Sequence, residues 1–230
     1  MLSPKPTDFV RRSPLYRWHV AAGAVFVEQD GAAIAESYSG VTADPMVCVV
    51  ADLSLRPRHG VKGWEAWSTL ASLGIERPEA TNRATPMDGG GTALRLGDNE
   101  ALLLGAVVGD APLLRRASGL SSTPGFYPVP RQDTHAWLLL LGRMVPAMLA
   151  KVCAIDFRPE RFAELMIAQT MVARVGAVVL RWDLGRIPAF HLLADMASAH
   201  YLWRALLQAA NEYGGQPLGI AALRGHANAP

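Results

Sequence analysis

HAWLLLLGRMVPAMLAKVCAIDFRPE, residues 135–160, reads as an apolar strand, a helical segment beginning at Arg143, and a polar close at Asp156–Glu160. The same punctuation occurs earlier in the same order. An apolar strand ends RHGVKG, the helical WEAWSTLASLGI follows, and ERPE closes it. Gly63 matches Gly142 and Leu70 matches Leu149 at one offset, and Arg77-Pro78-Glu79 matches Arg158-Pro159-Glu160 after a two-residue insertion. Further on, Leu96-Gly97 matches Leu184-Gly185. In each case a short polar turn leads to an apolar strand, starting at Ala101 and at Ala189.

Working outward, each unit reads as strand, helix, strand, strand, helix. That order predicts an α+β fold of two pseudo-repeated units, each a sheet covered by helices on one face. The last helix of the second unit is marked by Leu202, Leu206, Ala210 and Tyr213 at three- and four-residue steps. It begins near Ser198 and stops at Gly214-Gly215. DAPLLRRASG, residues 110–119, is its shorter counterpart in the first unit. The expected divisions are an N-terminal arm at 1–20, a first unit at 21–120, a proline-rich linker at 121–132, a second unit at 133–223 and a tail at 224–230. The two units are expected to form one compact domain.

Hydrophobic residues make up 50% of the 230 and charged residues 18%, where roughly 25% charged is usual. So apolar a chain is expected to offer some surface to another protein, as an obligate subunit does. The net charge of +2 and the lack of a basic block beyond Arg11, Arg12 and Arg17 argue against a nucleic-acid partner. The apolar runs fall well short of the roughly 20 residues that cross a bilayer. MLSPKPTDFVRRSPL has no apolar signal core, so the expected location is cytoplasmic. Cys48 and Cys153 lie in apolar runs outside any metal-ligand spacing, and both read as buried thiols.

Five stretches look chemical. Gly89-Gly90-Gly91 suggests a phosphate cradle, but no Lys-Ser/Thr follows it, and the reading is a turn before the strand at Thr92. In YPVPRQDTHAW, residues 127–137, Asp133 and His135 share a face if extended and form a charge-assisted set with Arg131. That resembles a general base, yet Thr134 falls on the other face and the stretch holds no serine or cysteine. His191 in AFHLLAD reads as a satisfied core histidine. Arg56 and Arg58 in LSLRPRHG share a face if extended and suit an anion or an acidic partner surface. Gln169, Thr170 and Arg174 have places from which to line a cleft, with no chemistry assigned by their spacing.

ADLSLRPRHGVKG, YPVPRQDTHAW, LAKVCAIDFRPE, IAQTMVARV and FHLLADMASAHYLWRALLQAANEYGGQPLG together resemble the gamma subunit of heterotetrameric sarcosine oxidase, over about Leu15 to Leu223. Related tetrameric enzymes such as N-methylglutamate dehydrogenase carry a similar small subunit. More distantly the pattern resembles the folate-binding fold of the glycine-cleavage T-protein. That family binds tetrahydrofolate in a central cleft and usually adds a β-barrel, for which this chain is too short. Asp52 and Asp133 sit in surroundings unlike its catalytic aspartate.

The resemblance implies a subunit without catalytic, cofactor-binding or metal-binding residues of its own. Its implied partners are alpha, beta and delta subunits that hold FAD, FMN, NAD and tetrahydrofolate and demethylate sarcosine to glycine. Arg56, Arg58, Arg131, Asp133 and His135 are the expected anchors to those partners. The rival expectations are a free-standing folate-dependent aminomethyl or methyl transferase and a folate-binding module without turnover.

Overall fold

The computed structural model describes residues 3–41 and 44–227. A short helix α1 (Tyr16–Ala21) leads into the hairpin β1 (Ala24–Gln29) and β2 (Ala32–Tyr38). The hairpin turns on Asp30-Gly31, both at positive φ (53° and 70°), as a two-residue turn between twisted strands requires. The chain then forms β3 (Val49–Asp52), β4 (Arg58–Lys62), α2 (Ala66–Ser72), β5 (Arg83–Pro86), β6 (Thr92–Gly97), β7 (Glu100–Leu104) and α3 (Pro112–Ser118). The second half supplies β8 (Tyr127–Val129), β9 (His135–Leu141), α4 (Val145–Leu149), β10 (Ile167–Val172), β11 (Val175–Arg181), β12 (Ala189–Asp195) and α5 (Ala199–Asn211). It closes with β13 (Gln216–Leu218) and α6 (Ile220–Ala227).

Two mixed-origin sheets result, ordered β5-β6-β7-β4-β8 and β10-β11-β12-β9-β3-β13. The sheets exchange strands: β3 pairs with β9 of the second half, and β8 pairs with β4 of the first. The expected linker at 121–132 therefore contributes a strand to a sheet and is more than a join. The expected arm at 1–20 is likewise built in, with Leu15 fully buried and His19 1% exposed.

The continuous apolar run of β9 now has its physical reason: both of its faces are buried. Trp137, Leu139 and Leu141 join Leu94, Leu102 and Leu104 in a core between the two sheets. Ala136, Leu138 and Leu140 pack instead under α4 and α5, beside Met148, Leu202, Trp203 and Leu206. A third core lies under α2 and α3, where Val61, Ala93 and Leu103 meet Trp67, Leu70 and Leu114. The layers run helix, sheet, sheet, helix. Each fully buried Leu stabilises them by about 1.5–3 kcal/mol, so the apolar excess goes largely inward. The β1–β2 hairpin, β13 and α6 close the inter-sheet core with Ile34, Leu218, Ile220 and Leu223.

Gly63 and Gly142 occupy corresponding places. Each ends its strand at positive φ (118° and 124°), and a Cβ there would lie 2.0 Å from the Gly125 carbonyl oxygen and 2.3 Å from that of Val47. Those same carbonyls accept from Glu65 N and Met144 N, both at 2.9 Å. The sheets touch where Ala84 N donates to Leu165 O and Ile167 N donates to Asn82 O, again both at 2.9 Å. The pairing of Leu96 with Leu184 does not hold in space. Asn82 N donates to Arg95 O and Leu165 N to Arg181 O, whereas Leu184 falls in a longer turn after β11.

Candidate functional site

RPRHG and PRQDTH meet each other inside the chain. Arg58, 3% exposed, sends Nε to Arg131 O at 3.0 Å and Nη1 to Ser54 O and Arg56 O at 3.0 Å. Its Nη2 donates to Gln132 O at 2.6 Å and to His135 O. These are all the donors a guanidinium has. Gln132 completes the clasp, its Oε1 accepting from Arg58 N at 2.9 Å and its Nε2 donating to Arg56 O at 3.1 Å. Burial draws the Arg58 pKa down to about 10, the Arg11 charge adds to this, and Asp52 and Asp133 oppose it. Arg58 is thus an internal clamp, and the expectation of a surface anchor is corrected: the carbonyls of the crossing strands need a cation more than a partner does.

Arg131, Asp133 and His135 do not form the set expected from an extended strand. Residues 132–134 form a turn closed by Thr134 Oγ1 donating to Pro130 O at 2.7 Å, and the strand begins only at His135. Asp133 points to solvent, its side chain 80% exposed, and faces Arg11 at 3.8 Å. Arg131 pairs with Glu100 at 2.8 Å and donates from Nη1 to His135 Nε2 at 3.1 Å. His135 Nδ1–H then donates to Thr134 Oγ1 at 2.9 Å. Burial, then the Arg131 and Arg58 charges, lower the His135 pKa, with Asp195 opposing. The polarity is wrong for catalysis, because the Thr134 proton is committed to Pro130 and the imidazole does not receive it.

The chain's other polar hub, missed in the sequence, is Asp52. Its carboxylate, 6% exposed, accepts from His19 Nε2 at 2.9 Å, from the Ser13 hydroxyl, and from Ser54 N at 2.8 Å. Tyr38 OH and His19 Nδ1 are hydrogen-bonded at 2.8 Å. Burial pushes the Asp52 pKa up, but the His19 hydrogen bond and charge, with Ser13 and Ser54, outweigh it and hold the carboxyl below its usual range. Burial, with the Asp52 charge, raises the Tyr38 pKa and keeps the phenol protonated. Ser13, His19 and Tyr38 are 5%, 1% and 8% exposed, so the network is sealed and ties the N-terminal segment and hairpin to β3. Reading residues 1–20 as an arm hid it. Asp52 at the end of the apolar VVAD was the one available signal.

Arg56 is the polar group that does reach a cleft. It is 3% exposed, and Nε and Nη2 donate to Ala106 O at 3.1 and 2.8 Å while Nη2 also reaches Gly109 O at 2.6 Å. Nη1 faces Asp30 Oδ2 at 3.9 Å, across the mouth. Burial lowers the Arg56 pKa, with Asp30 and Asp110 opposing and Arg224 adding to the decrease. Two cavities of about 420 and 200 Å³ share Arg56, Gln29 and Gly109.

The remaining signals are structural. Gly89, Gly90 and Gly91 all have positive φ in the turn between β5 and β6. His191 is 1% exposed, accepting from Trp137 Nε1 at 3.1 Å and donating from Nε2 to Trp182 O at 3.0 Å, and burial drops its pKa to about 4. Cys48 is buried, its thiol pushed up to about 11, whereas Cys153 is only half-buried. Gln169 ties the sheets together through Asn82 Oδ1 and Leu96 O, both at 2.8 Å. Arg174 lines a groove of about 510 Å³ with Tyr201 and Lys151 on the outer helix layer. Among the described residues no group of three His, Cys, Asp or Glu is placed to hold a metal, and no helix is long and apolar enough to cross a membrane. The space between the sheets is filled by Trp137, Leu139, Leu141, Leu94, Leu102 and Leu104, each at most 2% exposed.

No family model matches the sequence, and no curated relative does. Solved structures do match. A chain of heterotetrameric sarcosine oxidase from Corynebacterium sp. U-96 superposes with a TM-score of 0.66 at 19% identity, over 89% of this chain and 96% of that one. The glycine cleavage system aminomethyltransferase T from Bartonella henselae superposes with a TM-score of 0.69 at 17% identity, over 93% of this chain and 61% of that one. This chain therefore spans about three fifths of the aminomethyltransferase. At these identities the likeness establishes a shared mixed α+β fold.

Proposed function

We propose that this chain is a non-catalytic assembly subunit, the gamma subunit, of a heterotetrameric, flavin-dependent sarcosine oxidase. The observation that carries this reading is end-to-end likeness: the match takes in 96% of a chain from such a complex but only 61% of the aminomethyltransferase. The corresponding contacts of Gly63 and Gly142, and the reciprocal bonds at Ala84 and Ile167, support reading the halves as a structural duplication. Three features favour scaffold over catalyst. The inter-sheet space is filled by side chains, the Asp52 hub is sealed, and Arg58 spends its donors on carbonyls within the chain. Alpha, beta and delta subunits would carry FAD, FMN, NAD and tetrahydrofolate. A related N-methyl amino acid dehydrogenase, such as N-methylglutamate dehydrogenase, would use the same scaffold.

The test is expression of the chain alone and together with the neighbouring open reading frames. Co-purification in a fixed ratio with a flavin-bearing protein that oxidises an N-methyl amine is the expected result. A chain that binds tetrahydrofolate by calorimetry and transfers a one-carbon unit unaided is instead a free-standing transferase, and the proposal fails.

A further inference from the structure

We propose that the Arg56 cleft binds a small organic carboxylate, whose head takes the place of the Asp30 side chain on Arg56 Nη1. This inference stands apart from the assembly reading. A buried guanidinium is costly unless its donors are met. Nε and Nη2 of Arg56 are met by Ala106 O and Gly109 O. Among the described residues Nη1 has no acceptor within hydrogen-bond distance. Its nearest carboxylate is Asp30 Oδ2 at 3.9 Å, on a side chain 70% exposed. Asp30 stands at a hairpin turn and can swing outward without disturbing the core.

The walls decide the class of ligand. The nearby Asp110 is already neutralised by Arg115, which grips both its oxygens at 2.5 and 2.6 Å, and Arg224 faces Glu36 at 3.5 Å. Arg11 and Gln29 also line the larger cavity of about 420 Å³, but Arg11 donates to Leu55 O at 3.2 Å and faces Asp133, which leaves the Arg56 nitrogen as the buried open donor, with Leu55, Pro57 and Ala111 as an apolar lining. A single negative charge on an apolar body matches that lining. A phosphate dianion would offer more acceptors than Nη1 can serve and would face the exposed Asp30 carboxylate with twice the charge.

Titration of the full chain with sodium benzoate, against inorganic phosphate, by calorimetry and by the Arg56 side-chain nitrogen signals in NMR, tests this. One-to-one benzoate binding is expected, weakened at least about tenfold in Arg56→Met. Because that variant also loses two carbonyl bonds, Asp30→Asn is the second arm. It leaves the core untouched, suits the left-handed turn, and is expected to tighten benzoate about two- to fivefold by removing the competing charge. Absence of saturable benzoate binding, an affinity unchanged by Asp30→Asn, or equal binding of phosphate each overturns the proposal.

Discussion

Arg58 Nε donates to the carbonyl oxygen of Arg131 at 3.0 Å, joining β4, the strand before α2, to the segment just ahead of β9. Five carbonyl oxygens converge on that one guanidinium. The residue is therefore a keystone of the fold. Arg58→Lys keeps the charge but offers three donors in the wrong geometry, and is expected to lose about 3–5 kcal/mol in urea unfolding. Asp133→Ala, at a solvent-facing position, is expected to change stability by less than about 0.5 kcal/mol.

Asp52 gives the second prediction. Asp52→Asn leaves His19 and Ser13 without their ionised acceptor and is expected to cost about 2–4 kcal/mol. The loss should be local first: trypsin should cut sooner at Arg11, Arg12 and Arg17 than in the parent chain. Because the folded carboxyl is held below its unfolded value, the stability it brings is complete above about pH 4 and is lost as pH falls further. Unchanged trypsin sensitivity in the variant would remove the hub from the account of the N-terminal segment.

α5 and its glycine stop were legible because they are local, marked by periodicity and punctuation; the order strand, helix, strand, strand, helix missed a strand, since three strands lie between α2 and α3 and three between α4 and α5. Ser198 does stand at the N-cap of α5, and Gly214 takes the left-handed position at its end. The exchange of β3 and β8 between the sheets was not legible. An apolar run states that it will be buried on both faces, but not beside which strand. The site residues failed for a related reason. A cation in RPR reads as surface until the carbonyls that surround it are known, and three of the five come from residues more than seventy positions away.

His191 sets the acid sensitivity. Its folded pKa of about 4 lies below the usual 6.5, so the unfolded chain binds the extra proton between those values. Stability should fall as pH drops from about 6.5 to 4, by about 3 kcal/mol from this residue alone. His59 and His135, lowered chiefly by burial, add to the slope with the same sign. His191→Gln keeps an acceptor and a donor but does not titrate. It should be less stable at pH 7 and show a flatter unfolding profile down to pH 4.5, and a profile as steep as the parent's would refute the assignment.

Gly63 and Gly142 should respond alike. Alanine at either would drive a Cβ into a backbone carbonyl on top of a positive φ, and each is expected to cost at least about 3 kcal/mol. Gly74, at φ 85° with nothing within 4 Å, isolates the backbone term, and Gly74→Ala should cost only about 1 kcal/mol. Thermal unfolding of the three variants separates strain from clash.

Trp64 tests assembly. It is 66% exposed and sets its ring edge-on to Tyr127, itself 44% exposed, with centroids 6.5 Å apart. The other large exposed apolar side chains include Val10, Met171 and Tyr201. An edge-on Trp–Tyr pair open to water is the kind of anchor that dominates protein interfaces, because it buries much area and loses little side-chain entropy. In the monomer the pair contributes little, so Trp64→Ala should shift unfolding by less than about 1 kcal/mol. Its effect should appear instead in the co-purified yield of flavin-bearing partner, reduced about tenfold or more if the residue is a hot spot. A variant that assembles as well as the parent would move the docking face elsewhere on the molecule.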